Sequence, residues 1–368
     1  MTILFFLVHP AHFHLFRNVI KDLKNKKHEL MILIKTKDIL HYLLKNEGWK
    51  HINISKEEET RQNKLHIALS APMGFLKRQT QLAKIVMKKK PDLMVGTEWS
   101  ITTVGRLFNI PSVIFNEDDT RATPENYIFY PFANTIVMPT CCDIGKWENK
   151  KITYQGYHEI AYLHPRYFQP NREILNSFNP NHERYFIIRL VKLTASHDIG
   201  KKGINKEILK ELIKILSKKG KVFINSEREL ENEFEKYRIK INPNYIHHAI
   251  YYSDLFIGDS QTMVAEASVL GTPSIRYNDF VGKLSYLEEL EHKYNLTFGI
   301  HTSNIENLYE KVEELLNIPN LKLQWQKRRQ KMLSEKINVT TFMSWVIENY
   351  PKSAKIMKDD PNYQFKFK

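Results

Sequence analysis

Short apolar runs of strand character alternate with amphipathic segments along almost the whole chain, and this alternation restricts the fold more than any other feature. Strands separated by helices cannot close as hairpins. They pair in parallel, with helices covering both faces of the sheet. Strands are predicted near residues 2–8, 29–34, 51–54, 92–96, 111–115 and 134–138, with helices near 13–26, 37–46, 73–89 and 99–108. The rhythm lapses over 153–182, where Pro165, Pro170 and Pro180 stand among aromatics without a period. It restarts with strands near 185–190, 221–225, 254–257, 273–276 and 297–300 and helices near 204–218, 244–252, 260–270, 284–293 and 303–317. Helical segments near 320–337 and 339–350 and a polar tail complete it. The predicted fold class is α/β: a doubly wound domain over 1–155, a linker over 156–182, and a second doubly wound domain over 183–337. The helix and tail of 338–368 are expected to pack back toward the first domain. Two such domains facing each other would leave a ligand cleft between the carboxyl ends of their strands.

Composition narrows the class. A length of 368 residues suffices for two cores, and 42% hydrophobic content is ordinary for a globular chain. No apolar run approaches the roughly 20 residues that span a bilayer. Residues 1–8 are apolar but lack a basic start and are interrupted at His9, so they read as a first strand and not as a signal peptide. Cys141 and Cys142 are adjacent and poorly placed to bridge, which fits a reducing, cytoplasmic setting. The net charge of +14 is concentrated at residues 24–27, 88–90, 201–202 and 218–221, mostly at predicted helix C-termini where the helix dipole favours Lys. No Arg-rich arm, zinc spacing or nucleic-acid-binding aromatic motif occurs, so nucleic acid is not an expected partner. Peripheral contact with an anionic membrane, at the inner face, remains an expectation from charge.

Three constellations carry chemistry. In residues 254–276, DLFIGDSQTMVAEASVLGTPSIR, a strand enters the turn Gly258-Asp259-Ser260, a helix follows, and Gly271 closes it before the next strand. The free N–H groups and positive end of that helix make an anion site at Ser260, Gln261 and Thr262. Glu266, one turn below Thr262, could accept both hydroxyls of a ribose. An ordinary crossover with a Ser cap and a solvated Glu would show the same pattern. The second constellation is His9-Pro10-Ala11-His12-Phe13-His14 at the end of the first strand, with Glu98, Glu117 and Glu125 following later strands. Three histidines suggest a metal, but no Cys or HExxH partner accompanies them. His12 is the favoured general base, with His9 and His14 beside it. One of the three could instead cap the helix. The third is Arg189 with Thr194-Ala195-Ser196-His197-Asp198, where Arg189 or His197 could neutralise a diphosphate without a metal.

HPAHFH, ASHDIGKKG and GDSQTMVAEASVLGTPSIR together resemble a glycosyltransferase family of bacteria and archaea catalogued as a domain of unknown function. That family is similar in turn to the UDP-N-acetylglucosamine 2-epimerases, and the resemblance covers residues 1 to about 335. It implies the GT-B architecture of two Rossmann-like domains. It also implies donor contacts at Ser260, Gln261, Thr262 and Glu266, acids at Glu98, Glu117 and Glu125, and a loop histidine near His197. Two departures stand out. The epimerases' Arg-Pro-Glu turn is His-Pro-Ala-His here, and their Asp-Ser-Gly-Gly turn is Asp259-Ser260-Gln261-Thr262. A histidine in the first loop is similar to the placement of the base in some inverting transferases of this fold.

The resulting expectation is an inverting, metal-independent glycosyltransferase with no cofactor. His12 would be the base, and a nucleotide-sugar, a UDP-sugar, the donor. The acceptor would be a glycan or lipid-linked glycan hydroxyl in surface polysaccharide or lipopolysaccharide assembly. The alternatives are a nucleotide-sugar 2-epimerase, hydrolysing or not, using Glu98 and Glu117, and a non-catalytic sugar-nucleotide-binding protein.

Overall fold

The computed structural model describes residues 1–35, 39–55, 64–192 and 203–368, with every side chain there except those of residues 55, 64–73, 75 and 125. In chain order the elements are β1 (Thr2–Leu7), α1 (Pro10–Asn25), β2 (Glu29–Lys35), α2 (Leu40–Asn46), β3 (Ile52–Ser55), α3 (Lys64–Lys89), β4 (Leu93–Gly96), α4 (Ser100–Phe108), β5 (Ser112–Phe115), β6 (Thr135–Pro139), β7 (Lys151–Tyr154) and α5 (Ile160–Leu163). There follow β8 (Tyr185–Leu190), α6 (Lys206–Ser217), β9 (Lys221–Ser226), α7 (Ile246–Tyr252), β10 (Leu255–Gly258), α8 (Gln261–Val269), β11 (Ser274–Tyr277), α9 (Ser285–His292), β12 (Thr297–Ile300), α10 (Ile305–Asn317) and α11 (Leu321–Glu335). The chain ends with α12 (Val339–Glu348), α13 (Lys352–Asp359) and a 3₁₀ turn, Pro361–Phe367. It divides into two compact units, Met1–Tyr162 with Lys336–Lys368, and Leu163–Glu335.

Each unit holds one parallel sheet. The first has the order β3-β2-β1-β4-β5-β6-β7, the second β12-β11-β10-β8-β9. Sequence order reverses between β1 and β4 in the first sheet and between β8 and β10 in the second, and such a reversal opens a crevice at the strands' carboxyl ends. Central β1 reads as an unbroken apolar run because Ile3, Leu4, Phe5, Phe6 and Leu7 are all buried, with helices on both faces. Helix α1 turns Phe13, Phe16, Val19, Ile20 and Leu23 onto the sheet.

The structure departs from the sequence reading in several places, among them α3, which begins at Lys64 and not near residue 73, and β7, which was not expected. Helix α1 begins at Pro10 and not near residue 13, since Pro is pre-organised for the first helical position and His9 serves as the cap. The expected linker 156–182 contains β7's continuation into α5 and a 3₁₀ turn, Arg172–Ser177. Its residues Tyr157, Ile160, Ala161 and Leu175 are buried, and the unit boundary falls inside α5. The expected polar tail is α13 and its 3₁₀ turn, where Trp345 stacks on Tyr363 at 4.9 Å and Phe367 closes the group. Residues 336–368 complete the first unit: α12 packs on α1 and buries Val339, Phe342, Met343, Val346 and Ile347.

In the second unit α11 holds the helix ends. Lys322, Gln326 and Arg329 share one face, and they donate respectively to the carbonyls of Tyr251 and Ser253, of Leu270 and Gly271, and of Val269. The final carbonyls of α7 and α8 are thereby satisfied. Gly271, at φ +69°, makes the left-handed turn these contacts surround. At the opposite edge, Asp259 accepts from Val191 N (2.8 Å) and Ile204 N (3.3 Å). One buried carboxylate thus holds the segment leaving β8 and the one entering α6. Gly203 permits the approach, because a Cβ there would lie 2.7 Å from Asp259 Oδ2.

Phe342→Ala is expected to lower stability by about 3–5 kcal/mol, the cost of truncating a buried aromatic. Urea denaturation followed by tryptophan fluorescence measures it; a loss under about 1 kcal/mol would show that α12 is dispensable to the first unit. Burial raises the Asp259 carboxyl from 3.8 to about 6. The protonated form is favoured on folding, so its stabilisation is complete below pH 3.8 and is lost as pH rises through about 6. Relative to Asp259→Asn, the native chain should therefore gain up to about 3 kcal/mol as pH falls through that window. A stability difference independent of pH would overturn this.

Candidate functional site

The second unit's candidate site is built on the turn after β10. Ser260 is the N-cap of α8, its Oγ accepting from Met263 N at 3.2 Å. The cap leaves the N–H groups of Gln261 and Thr262, both half-buried, at the positive end of a nine-residue helix beside the β8/β10 reversal. Asn278 donates to the carbonyl of Asp259 at 3.1 Å and fixes the turn from the β11 side. This is the geometry expected of an anion site.

The charged residues assigned to that site are differently placed. Arg189 donates through Nη1 to Asn225 and pairs through Nη2 with Glu227. Its charge is compensated and cannot be counted as a free counter-ion for a diphosphate. Glu266 is buried, its carboxylate 3.0 Å from Nε2 of His247 on α7. A ribose could reach it only by sharing or displacing that contact. His197 lies outside the described residues.

In the first unit the β1/β4 reversal is bridged by His12 and Thr97, with Thr97 Oγ1 2.8 Å from both ring nitrogens. Val8 N–H donates to His12 Nδ1 at 3.2 Å. This bond favours the neutral ring protonated on Nε2, where Thr97 Oγ1 is the near partner. His9 caps α1, its Nδ1 accepting from Ala11 N at 3.2 Å. His14 stacks on Tyr162 at 5.3 Å, on the flank of α1 and not at its opening turn.

Of the acids, Glu98 is turned onto α4, accepting from Ser100 N (2.6 Å) and Ser100 Oγ (2.8 Å), with Arg78 Nε at 3.7 Å. It stabilises a helix start and is not presented as a proton donor. Glu117, at the end of β5, reaches the segment after β7. It accepts from His158 N at 3.2 Å and lies 3.3 Å from His158 Nδ1. The backbone of Glu125 lies in the 3₁₀ turn Pro124–Ile128, and its side chain is outside the description.

Sequence reasoning missed His158. Its Nδ1 lies 3.3 Å from the Glu117 carboxylate, and its Nε2 is a buried atom without a hydrogen-bond partner among the described residues. A base oriented by a carboxylate is the arrangement proton transfer needs. The available signal was a His-Glu pair at a strand end inside the apolar run Tyr157 to Leu163. His247 was likewise not singled out, and Asp259 was read only as part of the turn. Glu288, Glu291 and His292 lie close enough to share an ion, but Arg276 donates to Glu288 at 3.0 Å and Gly299 N to Glu291 at 2.9 Å, so the cluster is already occupied by protein donors. Among the described residues no helix is long and apolar enough to cross a membrane.

Comparison with known proteins sets this geometry in a family. An uncharacterized protein of Methanocaldococcus jannaschii is 25% identical over 322 residues, spanning 84% of this chain and 90% of its own. The solved UDP-GlcNAc 2-epimerase of the same organism, in complex with UDP-GlcNAc and UDP, superposes with a TM-score of 0.64 at 15% identity, over 90% of this chain and 100% of that one. MurG of Acinetobacter baumannii superposes with a TM-score of 0.57 at 14% identity, over 95% and 99%. At such identities the likeness is one of fold, the GT-B arrangement of two Rossmann-like domains found in glycosyltransferases and epimerases alike. The family described as protein of unknown function DUF354 matches residues 1–350, and the chain belongs to it.

Proposed function

We propose that the chain is an inverting glycosyltransferase that needs no metal and takes a nucleotide-sugar, a UDP-sugar, as donor. The observation that carries the reading is the first turn of α8, capped by Ser260 at the strand reversal of a sheet whose fold relatives include an epimerase solved with UDP-GlcNAc and UDP. The diphosphate is held by the N–H groups of Gln261 and Thr262 and by the helix dipole, with Arg189 positioning the β8 end and not acting as a free counter-ion. The acceptor hydroxyl is assigned to the first unit, beside His12 and Thr97 at the β1/β4 reversal. Its proton passes to Nε2 of His158, oriented by Glu117, as the oxygen attacks the anomeric carbon and the nucleoside diphosphate departs. This requires the acceptor to enter where Nε2 is covered. The acceptor is a glycan or lipid-linked glycan, which would place the enzyme at the inner membrane face in surface-polysaccharide assembly.

The epimerase reading is supported by the same epimerase fold relative and by carboxylates that follow two successive strands at Glu98 and Glu117. Incubation with UDP-GlcNAc alone separates the two: epimerisation or hydrolysis without an acceptor would replace the transferase reading.

UDP is expected to raise the melting temperature of the native chain, as any ligand of the folded state does. Thr262→Glu places a carboxylate where the helix dipole welcomes it but a phosphate does not. The variant should keep its own melting temperature and bind UDP at least about tenfold more weakly. Undiminished binding would move the diphosphate elsewhere. His158→Asn preserves the contact with Glu117 while removing the base, so kcat should fall about a hundredfold or more with UDP affinity retained. His12→Asn should chiefly raise the acceptor KM. The reverse pattern would return the base role to His12.

A further inference from the structure

One face of the first unit combines exposed apolar side chains with converging cations. The 3₁₀ turns Pro124–Ile128 and Tyr130–Phe132 leave Tyr127, Ile128 and Phe132 exposed, at 36%, 66% and 40%, and Leu107 at the end of α4 is 73% exposed. Lys146 Nζ lies 6.0 Å from the ring of Tyr127 and 5.5 Å from that of Trp147. Lys150 donates to the carbonyls of Pro131 and Ala133, both at 2.7 Å, and Lys358 to that of Asn149 at 2.8 Å. Burial first, and then the charges of Arg106 and Lys358, lower the pKa of Lys150, so three cations from distant parts of the chain stand within range of one another. Glu148 within this stretch is paired with Lys151 at 3.2 Å.

Like charges crowded beside exposed aliphatic and aromatic side chains are unfavourable in water. Both become favourable against a surface with phosphates at one depth and hydrocarbon just beneath. Nucleic acid offers the first without the second. We propose that this face docks on an anionic bilayer, with Tyr127, Ile128 and Phe132 entering the headgroup boundary and Arg106, Lys146 and Lys358 over the lipid phosphates. Lys150 serves the fold, holding the 3₁₀ turns beneath them. The inference stands independently of the proposed reaction.

The test is co-sedimentation of the full chain with vesicles of phosphatidylcholine alone and of phosphatidylcholine mixed with phosphatidylglycerol. Binding is expected only to the mixture and should weaken with salt. The variant Arg106→Gln, Lys146→Gln, Lys358→Gln should bind about a hundredfold more weakly, each basic residue at an anionic surface contributing roughly fivefold. Ile128→Ser with Phe132→Ser should lose about tenfold. The control Lys210→Gln, Lys218→Gln, Lys219→Gln removes the same charge from the second unit and should stay within about threefold of the native chain. Melting temperatures establish that each variant is folded. Failure to bind the mixed vesicles, equal binding to both vesicles, or an equal loss in the control would each overturn the proposal. Self-association abolished by Ile128→Ser with Phe132→Ser, without vesicle binding, would assign the face to a second copy of the chain.

Discussion

A buried carboxylate governs the second unit. Asp259 accepts two backbone N–H groups, one from the segment leaving β8 and one from the segment entering α6, and it immediately precedes the cap of α8. The three segments that meet at the strand reversal are therefore indexed to one side chain, and the open N–H groups of α8 owe their position to it. An isolated carboxylate at this depth would be costly in water-free surroundings; its two accepted bonds and its raised pKa are the two ways the protein meets that cost.

Among the described residues, several other ionisable groups near the strand edges are satisfied within their own unit. Arg189 is held by Glu227, Glu266 by His247, Glu98 by Ser100, and Glu117 by His158. Among the described residues, the start of α8 presents oriented backbone dipoles and a hydroxyl to an anion. A helix start of this kind favours a phosphate group at a defined place whatever the protein's net charge. The pairing also orders the histidines. His158 Nδ1 faces the Glu117 carboxylate, whereas His12 Nδ1 faces the Val8 N–H, so two imidazoles near one sheet edge have opposite neighbours.

The architecture was legible because its signals are local. Parallel strands buried on both faces read as apolar runs, and Ser260, Gly271 and the helix between them announce a crossover without tertiary help. The α1 start was missed because His9 is an unusual cap, and β7 because a four-residue edge strand beginning at Lys151 has no apolar run to display. Site roles were less legible for a different reason. Which carboxylate is taken by which partner depends on contacts between residues far apart in sequence, as with Glu117 and His158 or Glu266 and His247. No spacing rule encodes those contacts. His158 stood inside a stretch whose prolines and aromatics suggested a linker, and its burial there follows from packing that only the folded unit provides.

The charge excess illustrates the same distinction between inventory and placement. A formal +14 says nothing about where the charge acts. Part of it terminates helices: residues 88–89 close α3, Lys24 lies in the last turn of α1, and Lys322 and Arg329 donate to helix-end carbonyls from α11. Those cations are used by the fold, and a partner finds little there to bind. Arg106 and Lys358 also lie in the last turns of α4 and α13, but Lys358 contacts a single carbonyl, and both, like Lys146, are exposed. What distinguishes them is their juxtaposition with the exposed Ile128 and Phe132, which the other helix-end cations lack among the described residues.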